Sequence, residues 1–358
     1  MANNVTLHQK NKDGAYDNLY PRTTADHTML TSATGTKYGL TDGNAEQAVG
    51  ISMQFIQTIG AISIYVKDPL SNPIEGAIIQ GLSGNPSTNA SGFVQGTLVA
   101  NPIIVKSPYV DLKDKSVDVS GYVGTTRALN VTLDSVSENK IVRYTSSTSV
   151  KFSPATKTID VCCVGAGGGG GNAQSTGIYN SRASGGGGGG GGIVNSYAIT
   201  VESNILYPIV IGNGGGVEQT GGSTTAFSVT ANGGEGGRGQ AQGVAGLSGC
   251  GNGGNLSPGE SNTTISEFED GITFYSGGGG AGKHSTYETY GYAGGTPNGA
   301  EGACASYTYP HNINAKKANI GGGGGGNAVY VSDNQGNTYQ GNASSGGSGL
   351  VAIRIHLS

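Results

Sequence analysis

Tryptophan is absent from this 358-residue chain and charge is sparse, with 19 Lys and Arg set against 23 Asp and Glu. A net charge of −4, so small and so mixed, leaves no footprint for nucleic acid, and no Lys/Arg-rich block supplies one locally. Residues 1–10 hold no apolar core and so cannot serve as a secretory signal. No stretch approaches the roughly 18 apolar residues that span a bilayer. Cysteine is scarce too. Cys162 and Cys163 are adjacent in a strand-like run and point to opposite faces, which argues against a disulfide framework or a zinc site. With Cys250 and Cys304 they read as reduced thiols of a protein made in the cytosol. The five histidines are scattered and no G-x-S-x-G elbow occurs, so nothing marks a nucleophilic hydrolase.

Glycine fills the space left by what is missing. There are 68 glycines, 13 in residues 1–150 and 55 in residues 151–358, where roughly 7% is ordinary for a globular chain. That shift sets a boundary near residue 150. Residues 1–58 are polar and irregular, with turns at Asp13-Gly14 and Asp42-Gly43. Their one helical spacing is 44–57, where Asn44 caps a run holding Ala48, Ile51, Phe55 and Ile56. This leader reads as an attachment segment.

Residues 59–136 carry short strands at Ile62–Val66, Ala77–Ile79, Phe93–Leu98, Ile103–Lys106 and Leu129–Leu133, punctuated by Gly, Pro and Asn. That spacing predicts a small β-sandwich. The order Asp68-Pro69, Asn72-Pro73-Ile74-Glu75-Gly76-Ala77, Thr88-Asn89-Ala90-Ser91-Gly92-Phe93 and Asn130-Val131-Thr132-Leu133 resembles carboxypeptidase-regulatory-like and related immunoglobulin-like modules. The resemblance implies a spacer.

From 150 to 358 apolar strands alternate with glycine runs. The strands are Thr158–Val164, Ile193–Val201, Ile205–Ile211, Thr225–Val229, Ala328–Val331 and Leu350–Leu357; the last places Val351, Ile353, Ile355 and Leu357 on one face and Arg354 and His356 on the other. The longest glycine runs are 167–171, 185–192, 277–280 and 321–326. A linker would join domains, whereas these runs are interleaved with strands inside one segment, and the loops between them are rich in tyrosine. They are therefore expected to order together as extended threefold helices, which have no internal hydrogen bonds and must satisfy their backbones against one another. Only glycine lets such helices touch on all sides. The expected fold is mostly β: a sandwich base carrying a bundle of polyglycine II helices.

Thr156-Lys157-Thr158-Ile159-Asp160-Val161-Cys162-Cys163-Val164-Gly165-Ala166 with the glycines that follow, Tyr207-Pro208-Ile209-Val210-Ile211-Gly212, and the closing Gly346-Gly347-Ser348-Gly349-Leu350-Val351 resemble the glycine-rich domain of phage tail and tail-fibre proteins. The runs with loops between them are also similar to the polyglycine tip adhesins of T-even-type phages. The resemblance implies a non-enzymatic protein without cofactor or metal that binds a bacterial surface receptor, glycan or protein. It implies attachment to a tail or baseplate protein through the N-terminus and assembly as a homotrimer. It also implies residence in a virion or phage-tail-like particle, made in the host cytoplasm and released by lysis. A structural baseplate protein is the alternative; an ice-binding or cell-wall glycine-rich protein fits the sandwich and the tyrosine loops less well.

Two motifs tempt and fail. Gly165–Gly170 formally matches G-x-G-x-x-G, but eight glycines stand downstream where a helix and an acidic residue are needed. Gly277–Lys283 nearly spells a phosphate loop, yet His284 stands where Ser or Thr must bind magnesium. Glu260, Glu267, Glu269 and Asp270 form the densest acidic stretch and read as a solvated face, although carboxylate pairs that cleave glycans could come from anywhere in a fold. Recognition is expected in the loops between runs, because tyrosine offers rigid apolar area with a polar end. The candidates are Tyr179 and Arg182 in 172–184, Tyr287, Tyr290 and Tyr292 in 284–292, and Tyr307, Tyr309, His311, Lys316 and Lys317 in 303–319. The remaining loop, 255–276, holds four acids and no base.

Overall fold

A computed structural model of the chain describes residues 7–10, 16–19, 61–122, 127–174, 182–239, 253–254, 257–261, 278–285, 292–295, 299–306, 315, 321–331 and 338–357. No helix occurs among them, and the helical spacing at 44–57 lies outside them. The chain divides into two units, Met1–Pro108 with Asp114–Asp134, and Tyr109–Lys113 with Ser135–Ser358.

The first unit opens with a hairpin of β1 (Leu7–Lys10) and β2 (Tyr16–Leu19). Its body holds β3 (Ala61–Lys67), β4 (Ile78–Gln80), β5 (Phe93–Thr97), β6 (Ile103–Lys106), β7 (Lys115–Val117) and β8 (Leu129–Thr132). They form two three-stranded sheets, β5-β3-β8 and β4-β6-β7. Alternation decides which face is buried. Ile62, Ile64 and Val66 of β3, with Val94, Leu129 and Val131, are buried, as are Ile79, Ile103 and Val105 of the other sheet.

The second unit rests on a larger sandwich. Its strands are β9 (Lys140–Tyr144), β10 (Thr148–Val150), β11 (Thr156–Val164), β12 (Arg182–Ser184), β13 (Ile193–Thr200), β14 (Tyr207–Val210), β15 (Thr224–Ala226), β16 (Val229–Ala231), β17 (Lys283–Ser285), β18 (Cys304–Ser306), β19 (Ala328–Val331), β20 (Thr338–Gly341) and β21 (Leu350–Leu357). Sheets β13-β11-β21-β9 and β10-β14-β15-β16 enclose one core of Phe152, Ile159, Val161, Cys163, Ile209, Val229, Val351, Ile353 and Ile355. Cys162 faces the opposite way and packs with Val164, Leu350 and Ala352. The two thiols form no disulfide and lie on opposite faces, as their adjacency in a strand requires. On the outer face His356 Nε2 lies 3.0 Å from Asp160 Oδ2 and Arg354 3.5 Å from it, so the two basic residues of β21 share one carboxylate.

Two departures from the sequence-based expectation have clear causes. Thr225–Val229 is a hairpin rather than one strand, because Phe227 and Ser228 both take left-handed φ (50° and 63°) at a two-residue turn. The Phe227 ring holds that conformation by packing on Tyr207 (5.0 Å) and Phe152 (6.0 Å). Residues 109–113, from the connection between β6 and β7, belong to the second unit. Buried Asp111 accepts hydrogen bonds there from Ser153 N (3.0 Å), Ser153 Oγ (2.5 Å) and Thr156 Oγ1 (2.8 Å). With β9 and β10 completing the two sheets, the second unit draws on residues well upstream of 150.

Strands of this base run directly into glycine rods, and the hydrogen bonds change period where they do. Beyond Val164, the amides of Gly165, Gly168 and Gly171 donate to the carbonyls of Gly192, Gly189 and Gly186. The step of three, run in opposite directions, is that of neighbouring threefold helices. Ala166 and Gly169 donate to Gly222 and Gln219, and Gly167 and Gly170 to Gly347 and Ser344. In return Ala166 and Gly169 accept from Gly234 and Gly237, Gly167 and Gly170 from Gly215 and Glu218, and Gly168 and Gly171 from Gly324 and Asn327.

Rod 165–171 therefore sits among six neighbours, and these bond to one another around it. Gly189 donates to Glu235, Gly221 to Gly234, Gly222 to Asn213, Gly346 to Gly215, Gly347 to Gly322 and Gly188 to Gly324, which closes a ring. A second ring surrounds residues 278–283 and shares rods 185–192 and 321–327 with the first. Its other members are 253–254, 257–260, 292–295 and 299–303.

Glycine is needed here for closeness, not for φ. A Cβ at Gly167, Gly168, Gly169 or Gly170 would come inside 3.0 Å of a neighbouring carbonyl oxygen. Among the described rod glycines, left-handed φ occurs only near rod ends, at Gly239 and Gly321 (43° and 69°). Outer rods carry side chains at every third position, facing solvent: Asn232, Glu235 and Arg238 on one, Asn342, Ser345 and Ser348 on another.

Gly169→Ala, Gly188→Ala and Gly323→Ala should each lower unfolding stability by about 3 kcal/mol or more, beyond the usual overpacking cost, because backbone on both sides is bonded in place. Gly121→Ala, where a Cβ meets nothing within 4 Å, should leave it unchanged in the same denaturant titration. A second expectation concerns alkali. Burial pushes Cys163 from 9.0 up to about 12, helped by Cys162, and pushes Tyr144 from 10.0 up to about 12. Both favour the protonated folded form, so their contribution is complete below pH 9 and is lost as pH climbs toward 12. Melting temperature should fall through that window, less steeply in Cys163→Ala.

Candidate functional site

The rods put one end of the bundle far from the base. Rods 165–171, 232–239, 278–283, 299–303 and 321–327 all run away from the sandwich, as their same-direction bonding shows, and rods 185–192, 292–295 and 344–349 return. Seven residues at about 3.1 Å each make the central rod roughly 22 Å long. At its far end stand two small sheets, β12-β19-β20 and the parallel pair β17-β18, which pack on each other.

This cap is built from small residues. Ala173, Ala183 and Val329 pack on one side of β19; on the other, Ala303, Ala305 and Ala328 pack with Ala315 and Tyr339. Alanine suits it, because strands that continue rods begin at rod spacing and leave no room for Leu or Phe.

Asn327 is the node between rods and cap. It is fully buried, and its backbone bonds Gly171 O (3.0 Å) and Gly185 N (2.9 Å). Its carboxamide donates to Ala173 O (2.9 Å) and Asn172 Oδ1 (2.6 Å) and accepts from Ala173 N (2.8 Å). The side chain thus mimics a peptide group and carries the hydrogen-bond lattice one step past the glycines. Glu218 caps the same rod, its Oε1 accepting from Asn172 N at 3.1 Å. Neither residue is among the candidates read from the sequence. A polar residue closing a six-glycine run is the signal that could have found Asn327. Nearby, the buried Ser184 Oγ has no hydrogen-bond partner.

Of the residues singled out from the sequence, Arg182 is in β12, paired with Tyr330, and Tyr292 opens a returning rod. The Lys283 ammonium lies 4.9 Å above the Tyr292 ring, so one aromatic face is taken up inside the cap. Tyr179, Tyr287, Tyr290, Tyr307, Tyr309, His311, Lys316 and Lys317 lie outside the described residues. What flanks them is described. Ala173 and Arg182, Ser285 and Tyr292, and Ser306 and Ala315, which bracket the tyrosines and His311, all belong to this one end, whereas Lys316 and Lys317 fall between Ala315 and Gly321, and Gly321 bonds Gly191 and Ser348 at the sandwich end. Of the acidic stretch 255–276, Glu260 is described away from the cap: it accepts from Gly278 N, and Gly278 accepts from Gly295 N, part-way along the second ring.

The two glycine motifs are accounted for as well. The amides of Gly165–Gly170 donate to six neighbouring carbonyls, and those of Gly278–Gly282 are likewise committed. Neither stretch has N–H groups left to cradle a phosphate.

Replacing Asn327 by Ala would strand the buried amide and carbonyl of Ala173, at about 1–3 kcal/mol for each group. Asn327→Ala should therefore lower thermal stability clearly, whereas Ser184→Ala, which removes an unsatisfied hydroxyl, should leave it equal or slightly higher.

Comparison with known proteins agrees with the architecture. No curated protein sequence matches the chain. The sequence model of the glycine-rich domain family matches residues 144–356, from the last residue of β9 almost to the end of β21. That span is more than half of the molecule and takes in both rings of rods: the chain belongs to the glycine-rich domain family.

Proposed function

We propose that this protein is a receptor-binding protein at the end of a phage or phage-tail-like particle, with the far end of the glycine bundle as its host-recognising surface. One observation carries the reading. Three tyrosine-bearing segments, lying between residues 172 and 315 of the sequence, have their flanks gathered at one end of a bonded scaffold. Connecting segments set on a fixed frame are how binding surfaces are commonly built. The rods themselves are too uniform to encode specificity. In this reading the N-terminal segment joins a tail or baseplate protein, the particle carries three copies, and the chain acts outside the cell that made it, after lysis.

The test is competition. Full-length protein added to susceptible bacteria should block adsorption of the parent particle. A variant with Tyr287, Tyr290, Tyr307 and Tyr309 all changed to Ala should keep its melting temperature and compete about 100-fold less well or worse, since losing even one aromatic hot spot worth about 2–3 kcal/mol has that effect. Unchanged competition by that folded variant would remove the tyrosine segments from recognition. No competition by the wild type would favour a purely structural role in the particle.

A further inference from the structure

The connection between β6 and β7 has a neck closed within the first unit and a tip built into the second. β6 and β7 pair directly, Val105 opposite Lys115, so residues 107–114 leave and return at adjacent points. Asp114 fastens the neck. One of its oxygens accepts from Ser107 N at 2.9 Å, and the other pairs with the Lys106 ammonium at 2.7 Å. Beyond the neck, Tyr109–Lys113 belong to the second unit, which the chain enters again at Ser135. The chain therefore passes between the units three times rather than once.

The tip is a structural part of the sandwich base. Tyr109, Asp111 and Leu112 are buried there, and Val110 packs against the core that holds Phe152, Ile159 and Ile353. Val110 N donates to Lys151 O (3.1 Å), Asp111 O accepts from Val136 N (2.9 Å), and the Tyr109 hydroxyl donates to Asn204 Oδ1. The Asp111 carboxylate is the acceptor for three buried donors, Ser153 N, Ser153 Oγ and Thr156 Oγ1, and removing it strands them. The span matched by the glycine-rich family, 144–356, leaves the tip out.

We propose that residues 109–113 are a clasp by which each unit stabilises the other. While β6 and β7 are paired, the tip is presented to the base as a short closed loop. With the first unit unfolded, the tip is tied to Ser135 only through the 21 residues Asp114–Asp134, and seating it must first close that longer loop. Closure cost grows as three-halves of RT times the logarithm of loop length, a factor on the order of 100 for such a length. Coupling of this kind is reciprocal, so a tip that cannot be seated must weaken the first unit by the same factor. The clasp holds whatever the bundle's end binds, since no residue of that end enters it.

The experiment is amide exchange on full-length protein, read at Ile64 and Val105 in the first unit and at Val161 and Ile353 in the second. The variant Ile64→Asp, Ile103→Asp puts an unpaired buried charge in each sheet of the first unit and should unfold it, which Val105 reports. Val161 and Ile353 should then exchange about 100-fold faster or more. In the tip variant Tyr109→Gly, Val110→Gly, Asp111→Gly, Leu112→Gly, no residue of the first unit is changed. Ile64 and Val105 should nonetheless exchange about 100-fold faster, a readout that stands even where the second unit of this variant fails to fold. Lys113→Gly, at an exposed position of the tip, should leave all four amides as they are. Unchanged exchange at Val161 and Ile353 with the first unit unfolded, or unchanged exchange at Ile64 and Val105 with the tip replaced, would each overturn the clasp. Lys113→Gly acting as strongly as the tip variant would lay the effect on loop flexibility and overturn it as well.

Discussion

The structure depends on one constraint: extended backbones at van der Waals distance must bond each other on every side with no Cβ between them. A β-sheet meets its hydrogen-bond needs in a plane, two neighbours to a strand, and leaves its faces to side chains. The threefold rods meet them in three directions at once, so rod 165–171 takes six neighbours and needs no side chain to hold any of them. The core of this half of the molecule is thus made of peptide groups. Each hydrogen bond adds only about 0.5–1.5 kcal/mol net, and close Cα–H···O contacts add less. Their density compensates for the entropy that glycine loses on ordering.

The sandwich beneath makes the bundle possible. A polyglycine rod has no register information of its own, since each residue is like the next. Here the register is inherited. Val164 pairs with Ile193 and with Leu350, so rods 165–171, 185–192 and 344–349 begin already aligned by side-chain packing in the base. Asn327 and Glu218 then fix the far end with polar side chains that imitate the backbone. Apolar packing sets the register at one end, and hydrogen bonding carries it the length of the bundle.

Much of this is legible in the sequence. Strand-length apolar runs mark most of the sandwich strands, and the alternation of Val351, Ile353 and Ile355 against Arg354 and His356 matches the two faces of β21. Glycine runs interleaved with strands point to ordered rods. Other features are hidden for physical reasons. β12, β17 and β18 are three residues long and polar or alanine-rich, so no periodicity can reveal them. β7 and β10 are as short. A subtler signal lies in Asn232-Gly233-Gly234-Glu235-Gly236-Gly237-Arg238, where side chains recur every third residue and so mark the solvent face of a threefold rod. Of the candidate site, the strands that present it are described, while most of its tyrosines are known by their flanks and by sequence.

Amide hydrogen exchange of residues 165–171 bears most directly on the claim that backbone alone forms this interior. If the six-neighbour lattice holds the fold, the amides of Gly167–Gly170 should exchange only through global unfolding, as slowly as those of Val161 and Ile353 in the sandwich core. Exchange at the rate of an unstructured glycine linker, with the sandwich still protected, would contradict it.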